Sequence, residues 1–152
     1  MKFRTRYQGA IMRDHNILLI RHTNHGDGRA YWLVPGGGRE QGETEEECVQ
    51  REMREETGLE VRVERLLLDE ESLPGEKVYD RIKTYLCIPE PGEARPGYEP
   101  EPHVAAIYAI TAVRWVDLRD PQSWGPEVEA DRFTYPLLLK LRAMDAQGAL
   151  LC

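Results

Sequence analysis

Three glutamates in the run Arg51-Glu52-Met53-Arg54-Glu55-Glu56 have the spacing of a divalent-metal site. An α-helix turns about 100° per residue, so positions i, i+3 and i+4 share one face and can reach a single cation. With the same rotation, Glu52 and Glu56 project between Cys48 and Val49, in the middle of the stripe that an amphipathic helix turns to its core. Carboxylates beside apolar groups need their charge compensated. A hard cation with oxygen ligands compensates several at once.

The helix that would carry them is well signalled. Thr44 followed by Glu47 makes a capping box, Glu45 and Glu46 suit the positive end of the helix dipole, and Gly58 supplies a C-terminal stop. Capping explains Glu45, Glu46 and Glu47, which are therefore not read as ligands. Before the helix, Trp32-Leu33-Val34-Pro35-Gly36-Gly37-Gly38 reads as a short strand entering a glycine turn, where backbone can approach an ion or a phosphate. The triplet lacks the Gly-Lys-Ser/Thr ending of a P-loop and the spaced glycines of a dinucleotide fingerprint. The turn and the helix argue for function as one unit.

That unit resembles the Nudix box, the signature of the Nudix hydrolase family, Gly-x5-Glu-x7-Arg-Glu-U-x-Glu-Glu-x-Gly-U with U aliphatic. Gly37, Glu43, Arg51, Glu52, Met53, Glu55, Glu56, Gly58 and Leu59 fill its fixed positions. Val113-Arg114-Trp115-Val116-Asp117 is similar to the family's late Arg-Trp-Val strand. The resemblance implies an α/β fold, the Nudix α/β/α sandwich with a mixed sheet and a loop–helix–loop motif. It implies that Glu52, Glu55 and Glu56 hold Mg²⁺ or Mn²⁺, with the Gly37 carbonyl as a further ligand, and that Glu43 and Arg51 pair to fix the loop. The implied reaction is hydrolysis of a nucleoside diphosphate linked to a group X, by attack of water on phosphorus. The physical argument agrees, because cations neutralise pyrophosphate oxygens and lower the pKa of a bound water.

Glu52 is the first choice for the general base, with Glu55 beside it. Some family members recruit a later glutamate, and here the candidates are Glu99 and Glu101, in the stretch from Glu90 to Pro102. Its composition favours a solvated, proline-stiffened loop. Ile110-Thr111-Ala112 stands where family members often carry an acidic residue, so a fourth carboxylate has no assigned source. Two functional classes follow: a metal-dependent pyrophosphohydrolase, or a Nudix-like sensor or interaction domain that binds a nucleotide without turnover. A purely structural acidic helix fits the full box spacing poorly.

The remaining features bound the answer. At 152 residues and 41% hydrophobic content, residues 1–152 read as a single globular domain. No apolar run approaches the roughly 20 residues of a membrane span, and Met1–Arg6 lacks the apolar core of a secretion signal, so a cytoplasmic protein without membrane association is expected. Cys48, Cys87 and Cys152 are widely spaced and read as reduced thiols, two of them in packed elements. A net charge of −7 disfavours general nucleic-acid binding but is compatible with a small nucleotide substrate. Monomer and homodimer both stay open.

The elements that must position the box follow from local pattern. Strands are expected near 3–12, 16–22, 30–34, 61–68, 78–88, 104–110 and 113–116, with a final helix from about Tyr135-Pro136 whose Leu137, Leu138, Leu141 and Met144 pack inward. Specificity would come from the loop His22–Ala30 and the proline-rich stretch. Tyr31 and Trp32 are more readily core residues than base-stacking ones, and His22 and His25 without a third ligand make a poor separate metal site. Pro74 lies near where members acting on ADP-ribose often carry a proline, and equally suits a plain Leu73-Pro74-Gly75 turn.

Overall fold

The computed structural model describes residues 5–76, 78–99 and 102–151. In chain order the elements are β1 (Thr5–Arg13), β2 (Asn16–Asn24), β3 (Ala30–Leu33), β4 (Gly36–Gly38), α1 (Glu45–Thr57), β5 (Val61–Glu71), β6 (Arg81–Pro89), α2 (Pro102–Ala105), β7 (Tyr108–Asp117), α3 (Pro126–Glu129) and α4 (Thr134–Ala146), with a 3-10 turn at Pro121–Ser123. The strands form a mixed sheet of order β3-β2-β1-β6-β5, with β4 added to β1 and β7 to β2. β1 and β6 run parallel, in register from Thr5–Arg81 to Ile11–Cys87.

Because side chains alternate across a strand, β1, β2 and β6 each feed two cores. Tyr7, Ile11, Leu18, Tyr85 and Cys87 meet Cys48, Val49 and Met53 of α1 on one face. Ala10, Met12, Ile17, Leu19 and Leu86 meet Trp124, Val128, Leu138 and Leu141 on the other. This is the expected α/β/α layering, with α1 on one face of the sheet and α3 and α4 on the opposite face.

Two local expectations need correction. The glycine triplet is a strand and not a turn: Gly36–Gly38 pairs antiparallel with Arg6–Gln8, and a Cβ on Gly36 would collide with the Tyr7–Gln8 backbone. Residues 104–110 are not a separate strand, since Pro102 opens a helical turn and β7 then runs unbroken from Tyr108. The short helix α3 has no counterpart among the expected elements. Helix α4 begins at Thr134, with Leu138 and Leu141 buried and Leu137 and Met144 packed at the core's edge. Trp32 is buried in the core, as its type suggested, and Leu73–Gly75 is an exposed turn whose Pro74 carbonyl accepts from Arg132. Glu101 and Cys152 lie outside the described residues.

Candidate metal centre

Helix α1 is fastened at both ends as its sequence suggests. The Thr44 hydroxyl accepts the Glu47 amide at 3.1 Å, the Glu47 carboxylate accepts the Thr44 amide at 2.9 Å, and Gly58 closes the helix in the left-handed region at φ 74°. Glu45 bonds to Lys83 and Tyr85, away from any ligand role. The inner face buries Cys48, Val49, Glu52, Met53, Glu56 and Thr57. Glu52 is 0% and Glu56 1% exposed, so two carboxylates occupy core positions, while the Glu55 side chain is 19% exposed.

Arg51 organises this face. Its Nε and Nη2 donate to the two oxygens of Glu43 at 2.6 and 3.0 Å, Nη1 donates to Glu52 and Glu55 at 3.1 Å each, and Nη2 also reaches the Gly38 carbonyl at 3.1 Å. A planar guanidinium fork suits this bidentate contact. Burial alone would raise the Glu43 carboxyl, but its bonds to Arg51 and to the Glu40 amide outweigh it and hold the group below the usual range. Burial raises Glu55 despite the opposing pull of Arg51. Glu56 lies well above the ordinary carboxylate value, first because it is fully buried and then because Glu52 and Glu99 repel its charge. Its Oε1 accepts the Gly36 amide at 2.8 Å, tying β4 to the helix. Gly37 sits between Gly36, which donates to Glu56, and Gly38, which accepts from Arg51.

The stretch from Glu90 to Glu99 departs from the solvated loop expected. A helix leaves its last carbonyls without helical partners, and here the Arg95, Gly97 and Tyr98 amides donate to Thr57, Glu56 and Glu55 at 2.9, 2.9 and 3.0 Å. Gly97 is required, because a Cβ there would overlap the Glu55 carbonyl. The strap carries Glu99 inward, where its side chain is 5% exposed and an oxygen lies 3.3 Å from His22 Nε2. One ligand atom each from His22, Glu56 and Glu99 lie within 4.8 Å of one another. Ile110 is a buried residue opposite His22, and among the described residues Glu99 is the later acidic residue brought beside Glu56 of the box. Arg21 and Arg62 pair with Glu127 and Glu64. His25 contacts the Ala105 carbonyl.

Glu43, Glu52, Glu55, Glu56 and Glu99 thus outnumber the guanidiniums facing them, Arg51 and Arg6 among the described residues. Several oxygen donors with an excess of buried negative charge fit a divalent cation.

The NUDIX domain family profile matches residues 3–137. The chain belongs to the NUDIX domain family. Within it, an NAD-capped RNA hydrolase NudC of Photobacterium profundum is 37% identical over 90 residues, 59% of this chain and 32% of that protein. An ADP-ribose pyrophosphatase of Methanocaldococcus jannaschii is 48% identical over 59 residues, 39% of this chain and 34% of its own length. The match spans about a third of each of these relatives. Among solved structures, a MutT NUDIX hydrolase from Burkholderia pseudomallei superposes with TM-score 0.64 at 27% identity, covering 93% of this chain and 99% of that one. A NUDIX hydrolase from Nitrosomonas europaea shares the fold with TM-score 0.71 at 18% identity, covering 97% and 74%. No helix among the described residues is long and apolar enough to cross a membrane.

Proposed function

We propose that this NUDIX chain is a metal-dependent pyrophosphohydrolase that cleaves the diphosphate of a nucleoside diphosphate linked to a further group X. The observation that carries the reading is the pair of fully buried carboxylates, Glu52 and Glu56, on the inner face of α1 beside Glu55 and Glu99. Glu52, Glu55, Glu56 and the Gly37 carbonyl would hold Mg²⁺ or Mn²⁺, with Glu99 as the carboxylate that the strap adds. When bound, the cation neutralises phosphate oxygens and acidifies a water.

The chain's own groups position and move protons. Arg51 holds Glu52 and Glu55 in place and is itself clamped by Glu43, so the loop before α1 and the helix keep one spacing. Glu52 takes the proton of the attacking water as the bridging phosphorus–oxygen bond breaks, and Glu99 is the alternative acceptor. NAD and ADP-ribose, the groups in the names of two relatives, each contain a diphosphate, which favours nucleoside diphosphate derivatives over triphosphates here.

The test is product release from nucleoside triphosphates, nucleoside diphosphate sugars and dinucleoside polyphosphates, with Mg²⁺ or Mn²⁺, by wild type and Glu56→Gln. We expect the variant to fold and to lose turnover roughly 100-fold or more, the scale for removing a stabiliser of transition-state charge. Near wild-type turnover in Glu56→Gln would refute the site assignment. Nucleotide binding without turnover in wild type would refute the enzymatic reading in favour of a sensor.

A further inference from the structure

His22 is buried and the hydrolase reading gives it no role. On β2 it shares alternation with Leu18, whose side chain packs on the α1 face of the sheet, so His22 projects toward the same side. The ladder shifts here, with Arg21 opposite Ala112 but His22 opposite Ile110, so the extra residue of the bulge, Thr111, lies on β7 and not on β2. Tyr108 stacks on the imidazole at 5.7 Å and 20°, and Tyr31 meets it edge-on at 5.8 Å, so the ring is framed on two sides. The side chain is 6% exposed, and Nε2 faces the Glu99 carboxylate at 3.3 Å without making a hydrogen bond. A buried ring nitrogen left in this state is unfavourable unless something else satisfies it.

We propose that His22 Nε2 ligates a divalent cation together with Glu56 and Glu99, giving the centre a nitrogen-bearing position that prefers a first-row transition ion to Mg²⁺. Bonds of about 2.0–2.2 Å place two ligands of one ion roughly 3–4.3 Å apart, so the 4.8 Å envelope of these three atoms needs only slight closure. Imidazole binds transition ions well, whereas Mg²⁺ selects oxygen and keeps its waters. The inference rests on the proposal that the carboxylates hold cations.

Pulsed EPR of the Mn²⁺-loaded protein tests it without an activity measurement. We expect a nitrogen hyperfine coupling that changes to the ¹⁵N pattern when histidine is isotopically labelled, that disappears in His22→Gln, and that persists in His25→Gln. In calorimetric titrations His22→Gln should bind Mn²⁺ about 10-fold or more weakly, with a smaller effect on Mg²⁺. Should His22→Gln not fold, retention of the signal when His15, His25 and His103 are all Gln assigns it to His22. Mn²⁺ bound with no nitrogen coupling would overturn this inference alone. Failure of wild type to bind Mn²⁺ at all would overturn the carboxylate site as well.

Discussion

At the residue scale, the projection that put Glu52 and Glu56 in the apolar stripe of α1 could be read from spacing alone, because helical rotation is fixed by backbone geometry. His22 and Glu99 could not be placed the same way, since no local rule brings β2 and the proline-rich stretch together. One signal was present: His22 has the parity of Leu18 on a strand. Arg51 carries the sharpest single-residue prediction. Arg51→Lys keeps the charge but loses the fork that grips both oxygens of Glu43. It should lower stability by about 1.5–3 kcal/mol, the worth of hydrogen bonds to charged groups, seen as a lower urea midpoint, and reduce kcat/KM through loosened Glu52 and Glu55. Unchanged stability with lost activity would mean that Arg51 serves the substrate and not the loop. The thiols give a second check. Burial pushes Cys87 up to about 12 and, with the charges of Glu52 and Glu43, raises Cys48 as well. Iodoacetamide at about pH 8 should leave both unmodified in the folded protein and label both after urea, as read by peptide mass spectrometry.

At the element scale, α1 was legible end to end because its caps are written in neighbouring residues. The strap from Arg95 to Glu99 was not, because its partners are the carbonyls at the end of α1, and composition says nothing of a partner distant in sequence. The glycine triplet misled for a related reason: glycine serves close approach as well as turning, and here it lets β4 lie against β1. Gly97 tests the strap directly. Gly97→Ala drives a Cβ into the Glu55 carbonyl, so the strap must lift and take Glu99 with it. Overpacking of this kind costs about 1–3 kcal/mol. Turnover should fall toward that of Glu99→Gln, and combining the two changes should cost little more than Glu99→Gln alone, because both remove the same carboxylate from the centre. Multiplied losses in the double variant would show that Gly97 acts by another route.

At the scale of the whole molecule, the three layers follow from alternation and helical stripes, and the burial of acidic groups between sheet and α1 makes stability depend on pH and cation together. Glu56 has its folded pKa raised above the unfolded value of about 4.3. Without metal, the native state therefore binds more protons than the unfolded chain above that pH, so stability falls as pH rises from there through the raised pKa. Glu43, Glu45 and Asp117 are shifted the other way, and their contributions fade only on the acid side, as pH falls below about 4. A divalent cation replaces the proton on the carboxylate cluster, so its stabilisation should grow across the window in which the metal-free protein weakens. In EDTA the melting temperature should drop between about pH 5 and 8, Mn²⁺ should flatten that slope, and Glu56→Gln should lose most of both the slope and the metal response. A metal-free melting temperature that stays level or rises over that interval would show that Glu56 ionises freely in the folded protein, and the electrostatic case for a cation at this centre would fail with it.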